Sequence, residues 1–315
     1  MKKSIVRLAL AAAVGLVPVS AQAEWTPKGP IKLMIAFKAG GGADTISRLI
    51  AEELEKRKGW KVIPEQVTGK GGVVLAAKLK GEPNDGTSIG MMVTESLTYN
   101  MLSAKGAGVS LSDFTPVTTV AGFQMGVVAL TKSYKSWNDV VAAAKSGKAI
   151  RFGAMSPRLG DLAYMLGKAQ GIDLNIVMLK GGKGVMNGLN AGDVDIGWGA
   201  GIQTKAVRAG DMVNLVSGLN EPLAISPKAP LMKSLGVPYS AGGYFLFAGP
   251  AGMPSDARAA LAKAIAEVVQ DPSTKAAKII QRAFGGPSLI SGEKLDQLLA
   301  TENDDAKALI AAVPN

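Results

Sequence analysis

Short apolar runs alternate with amphipathic stretches along most of the chain, which predicts strand–helix units building α/β layers with a largely parallel sheet. Positions 31–37 form a continuous apolar run entered through the turn pair Gly29-Pro30, the pattern of a buried strand. After it Ile46, Leu49, Ile50 and Leu54 recur at i, i+3, i+4 and i+8, one face of a helix that Gly59 ends. Further strands are expected over 89–93, 127–131, 150–154, 176–179, 194–198, 214–217 and 244–248. Helices are expected over 137–145, with Ser136 as N-cap, and over 162–169, 185–190, 203–209, 255–270, 274–284 and 293–312. The stretch 221–239 is Pro-rich and irregular.

The first residues follow another pattern. Lys2, Lys3 and Arg7 precede an apolar stretch over 8–19 and the small-x-small sequence Ala21-Gln22-Ala23. This predicts a signal peptide over 1–23, cleaved after Ala23, and an exported protein of the periplasm. The apolar stretch is shorter than the ~20 residues that span a bilayer. The remaining chain carries 32 Lys and Arg against 25 Asp and Glu, a balance of +7 that attracts anionic solutes at long range. The basic residues are scattered and no RNA- or finger-type motif occurs, so no nucleic-acid partner is expected.

Composition narrows the chemistry. The 315 residues include no His and no Cys, which excludes Ser–His and Cys–His nucleophile pairs and zinc sites of the usual ligands. No cofactor or metal site is implied, and no enzyme activity is expected. An enzyme working through two carboxylates is the competing class. Aromatics are scarce at 5% and glycines number 39, so backbone rather than rings is expected to face a ligand.

Three places share one design, in which an apolar strand runs into a Gly-rich loop and then a helix: Phe37-Lys38-Ala39-Gly40-Gly41-Gly42-Ala43-Asp44, Gly69-Lys70-Gly71-Gly72 and Lys180-Gly181-Gly182-Lys183-Gly184. Gly lets the backbone approach a ligand, and the first N–H groups of a helix point outward with a fractional positive charge, which suits an anion. The alternative for any one loop is a tight turn alone. The spacing fits neither a P-loop nor a dinucleotide fingerprint.

These motifs resemble, over nearly the whole chain after residue 23, the periplasmic receptors of tripartite tricarboxylate transporters, also called Bug receptors. The segment 37–48 is similar to F-x-P-G-G-x-x-D-x-x-x-R, with Asp44 and Arg48 in register and Ala39 where the family usually has Pro. Asp113-Phe114-Thr115-Pro116-Val117 matches D-F-T-P-V, and Gly249-Pro250-Ala251-Gly252-Met253-Pro254 resembles A-P-A-G-T-P. Pro83-Asn84-Asp85-Gly86-Thr87 is similar to P-D-G-Y-T, and Leu179-Lys180-Gly181-Gly182 to Y-K-G-G.

The resemblance implies a type II periplasmic-binding fold with two lobes, 24–122 with 243–315 and 123–242, crossed near 120–126 and 240–247. It implies a cleft that closes on one small carboxylate, a dicarboxylate, tricarboxylate or aromatic acid, for an inner-membrane permease; a sensor ectodomain is a further possible partner. The expected ligand contacts are Phe37, Lys38, Gly41, Gly42, Ala43, Lys180, Gly181 and Gly182, with Asp44 bracing its loop. Thr94, Ser96 and Ser156 are expected to donate hydroxyl hydrogen bonds, or to cap loops. Arg158 is expected to grip a second acidic group in a fork, its alternative a solvated loop charge. Trp198 and Tyr244 are expected to wall the pocket, or to pack in the core.

Overall fold

The computed structural model describes residues 25–104 and 106–314. The segment read as a signal peptide lies outside them. Two five-stranded sheets organise the chain. The first has the order β2-β1-β3-β10-β4, from β1 (Ile31–Ile35), β2 (Val62–Gln66), β3 (Ser88–Val93), β4 (Phe114–Gly122) and β10 (Tyr244–Pro250). The second has the order β7-β6-β8-β5-β9, from β5 (Met125–Leu130), β6 (Ile150–Ala154), β7 (Leu174–Met178), β8 (Ile196–Ala200) and β9 (Met212–Ser217).

Each sheet is mixed. β2, β1 and β3 run parallel, as do β7, β6 and β8. The strands that lead into or out of a crossing, β4 and β10 in one sheet and β5 and β9 in the other, pair antiparallel with their neighbours. The chain passes from the first sheet to the second over 123–124 and returns over 218–243. Phe123 N–H donates to Gly243 O at 2.9 Å, so the two passages are bonded to each other.

The strand period of two decides the layers. Ile31, Leu33 and Ile35 of β1 face one way, against α1 (Gly42–Lys58), α9 (Ser255–Gln270) and α10 (Lys275–Phe284). Met34 faces the other way, with Leu75 and Leu79 of α2 (Val73–Leu79) and Leu295 and Leu299 of α11 (Gly292–Ala312). In the second sheet Phe152 and Val127 meet Leu162 and Leu166 of α6 (Pro157–Ala169) and Val140 of α5 (Trp137–Lys145). Val128 on the opposite face meets Val185 and Leu189 of α7 (Gly181–Ala191).

Two strands are absent from the sequence reading. β2 carries Pro64, which reads as a breaker, yet it lies on an edge and pairs only with β1, where a missing N–H is tolerated. β4 spreads threonines over both strand phases, with Thr118 and Thr119 both buried, so no alternation marks it. Its outer edge is covered by the chain after α10: Ser288 N–H donates to Val120 O and Thr119 N–H to Ile290 O.

The stretch 243–315, read from sequence as part of the first lobe, divides. Leu295 and Leu299 of α11 sit in the core of the first sheet, but Ala306 and Leu309 sit in the core of the second, with Tyr99 of α4 (Tyr99–Ser103). One helix therefore straddles both cores.

Candidate functional site

The loop after β1 is built around Asp44, a residue only 4% exposed. Its carboxylate accepts Gly40 N–H at 2.9 Å, Arg48 Nε–H at 2.8 Å and Gln66 Nε2–H at 3.3 Å. That bracing consumes the charge internally, so Asp44 holds the loop's shape rather than confronting an anion. No side chain caps the helix that follows: α1 has Gly41 as N-cap. α7 begins in the same way, with Lys180 as N-cap and no capping side chain. Each helix thus presents backbone N–H groups and the positive end of its dipole beside Gly-rich chain.

A string of contacts joins these two starts across the lobes. A Cβ on Gly42 would lie 3.6 Å from the Phe284 ring, at the end of α10. Phe284 meets Gly201, just after β8, where a Cβ would lie 3.0 Å from the ring and 2.6 Å from Ala283 O. The φ of Gly201 is +120°, a conformation L side chains avoid, so this close approach of two backbones requires glycine. Its neighbour Ile202, 47% exposed, lies where a Cβ on Gly182 would meet it at 3.2 Å. Phe284 stacks edge-on against Phe245, which stacks against Phe123, carrying the aromatic column to the lobe crossing.

Gly42 in one lobe is thus linked to Gly182 in the other, with Phe37, Gly41 and Ala43 along the chain from the first and Lys180 and Gly181 next to the second. Lys38 is exposed on the rim.

The hydroxyls named from sequence are committed within the protein, Ser96 and Ser156 to backbone and Thr94 to backbone and to the Glu302 carboxyl. Ser156 Oγ accepts Leu159 N–H at 3.3 Å and caps α6. Ser96 Oγ donates to Gly71 O at 2.7 Å, and Thr94 Oγ1 accepts Tyr244 N–H at 3.3 Å; both residues are fully buried. Arg158 lies between the lobes, with Nη2 donating to Ser240 O at 2.6 Å, Nη1 to Gly242 O at 3.1 Å, and Nη1 at 3.5 Å from Glu95 Oε2. Its fork grips the returning chain rather than standing free. Trp198 belongs to the second core: it is 0% exposed, packs on Phe152, and donates Nε1–H to Leu159 O at 2.7 Å. It offers the cleft no surface, because its position on β8 faces the α6 layer.

Beside the crossing lies a crevice of about 700 Å³ that both lobes line. Its walls include Phe123, Tyr239, Tyr244 and Phe284, with Arg158 and Glu302 as facing charges. Burial pushes the Glu302 carboxyl up to about 7, against the opposing pull of Arg158 and a hydrogen bond from Thr94. Burial also raises Asp161, which accepts a hydrogen bond from the Tyr99 hydroxyl, and raises the Tyr99 and Tyr244 hydroxyls. Sequence reasoning missed Phe284, Gly201 and Glu302. Glu302 had a readable signal, since it interrupts an apolar stripe of Leu295, Leu299, Ala306 and Leu309 at helical spacing.

A family model described as the tripartite tricarboxylate transporter family receptor matches residues 46–314. The chain belongs to that family. Curated relatives of this receptor include a UPF0065 protein of Cupriavidus necator, 29% identical over 73% of this chain and 72% of the relative. BugT of Bordetella pertussis is 23% identical over 79% of this chain and 78% of its own. Among solved structures, BugD covers 91% of the receptor and 98% of its own chain at TM-score 0.75 and 21% identity. MatC of Rhodopseudomonas palustris, solved with malate, covers 90% of the receptor and 100% of its own chain at TM-score 0.74 and 19% identity. The receptor thus has the two-lobed fold of periplasmic binding proteins.

Proposed function

We propose that this receptor captures a small carboxylate anion between its lobes in the periplasm and passes it unchanged to an inner-membrane permease. The observation that carries the reading is the meeting of two uncapped helix starts, α1 at Gly42 and α7 at Gly181, from opposite lobes through Phe284, Gly201 and Ile202. Each supplies what a carboxylate needs and neither requires a titratable side chain. The binding of malate by MatC, and of adipate by a further R. palustris protein of this fold, supports the ligand class. The basic and apolar start ending in Ala23 supports export.

In this reading the lobes 24–122 with 243–315 and 123–242 rotate about the bonded passages at Phe123 and Gly243. The ligand favours the closed arrangement because only there does it touch both helix starts. Phe37, Gly41, Gly42 and Ala43 take one side of the carboxylate, and Lys180, Gly181 and Gly182 the other.

A thermal-shift screen of the chain from Glu24 onward tests this, with malate and adipate set against matched amines and sugars. Saturable stabilisation by carboxylates alone is the expected outcome. Gly42→Asp sharpens it. An Asp in the first turn suits the helix dipole, so the fold is kept, while its charge repels the ligand; affinity should fall by about tenfold or more. Unchanged carboxylate binding by a folded Gly42→Asp chain would remove the α1 start from the site.

A further inference from the structure

The interface beside the crossing holds more negative charge than its one guanidinium answers. Glu302 lies on α11 between the residues that enter the first core and those that enter the second. Around it stand Thr94 and Glu95 of α3 (Thr94–Leu97), Arg158 of α6 and Asp305 of α11 itself, and beyond Glu95 and Arg158 stand Tyr99 of α4 and Asp161 of α6. Tyr244 of β10 and Glu221 of the returning chain complete the ring. Arg158 is the one cation of this group, and it already serves Glu95 and two carbonyl oxygens. Three of these contacts join the lobes: Arg158 to Glu95, Tyr99 to Asp161, and Ala306 with Leu309 to the second core.

We infer that proton binding at Glu302 operates a latch between the lobes, so that acid favours the closed receptor and tightens its hold on the carboxylate. The inference names a regulation of the proposed binding site and rests on that reading for its link to ligand affinity.

The sign follows from the two environments. Closed, Glu302 is half-buried at the crevice that both lobes line, beside Glu95 and Asp305, and its carboxyl holds a proton up to about 7. Opened, it regains water and returns toward its ordinary 4.5. Between those values closing takes up a proton from solvent, so closure strengthens as pH falls from 7 toward 4.5. Above 7 the ionised carboxylate crowds Glu95 and Asp305, and the interface loosens. Between pH 8 and pH 5.5 the closed-to-open ratio should rise on the order of tenfold.

The natural sequence lacks cysteine, so Lys56→Cys on α1 and Lys145→Cys on α5, both exposed, accept spin labels without interference. Distances between the labels, measured without solute from pH 8 to pH 5.5, should shift toward a closed population, the change setting in as pH falls below about 7 and growing down to 5.5. Glu302→Gln, which mimics the protonated state, should stay closed across the range. An unchanged wild-type distribution from pH 8 to pH 5.5 overturns the inference by itself, whether or not the variant folds. A wild-type shift that persists in Glu302→Gln assigns the switch to another group and overturns it equally. Because no solute is present, these outcomes are independent of the carboxylate screen.

Discussion

Trp198 donates its indole N–H to a carbonyl 39 residues away along the chain. Trp198 stands just after an apolar run and before a Gly-rich turn, where a ring could line a pocket; the strand phase instead turns it inward, with its N–H satisfied by Leu159 O. Trp198→Phe should therefore lower stability by about 2 kcal/mol, from the lost hydrogen bond and the space left, with carboxylate affinity unaltered. Denaturant unfolding and a binding titration on one preparation check both halves. Glu302 reads as one more surface charge unless its neighbours at i−7, i−3, i+4 and i+7 are seen to be apolar. The Gly-rich loops were legible because glycine has few other uses at a strand end, and Asp44 because a buried negative charge beside an anion loop needs an internal partner. The fate of Thr94, Ser96, Ser156 and Arg158 was not legible. Each has a partner far along the chain or in backbone geometry that no local pattern encodes.

Among elements, α11 carries most of what distinguishes this architecture from two independent lobes. Its stripe keeps helical spacing on both sides of Glu302, so periodicity finds the helix but not the change of neighbour halfway along it. Leu309, 2% exposed, packs with the second sheet although the strand before its helix belongs to the first. Leu309→Ala should cost about 2–4 kcal/mol and weaken the docking of α11 on the second core more than on the first. Hydrogen exchange checks the difference: faster exchange is expected in α6 and in α11 after Glu302, with β1 and β3 unchanged. The same reasoning explains which elements escaped sequence reading. β2 and β4 are defined by what they pair with, an edge position and a covered edge, whereas α1, α9 and β1 declare themselves through their own apolar spacing.

For the molecule as a whole, two sheets of nearly identical plan share two chain passages and one helix. The cores are joined through α11 and Tyr99. We expect one cooperative thermal transition, with calorimetric and van't Hoff enthalpies in agreement; two resolved transitions would show the lobes to be thermodynamically separate. The pairing of parallel and antiparallel strands in each sheet was beyond sequence reading, because it follows from where the chain re-enters a lobe rather than from any strand's composition. One contact between the lobes also has a mechanical meaning. At Gly201 and Ala283 they meet main chain to main chain, with the Phe284 ring packed alongside. On the proposed function, a methyl group on residue 201 would hold the two main chains further apart and so widen the smallest gap the lobes can close to.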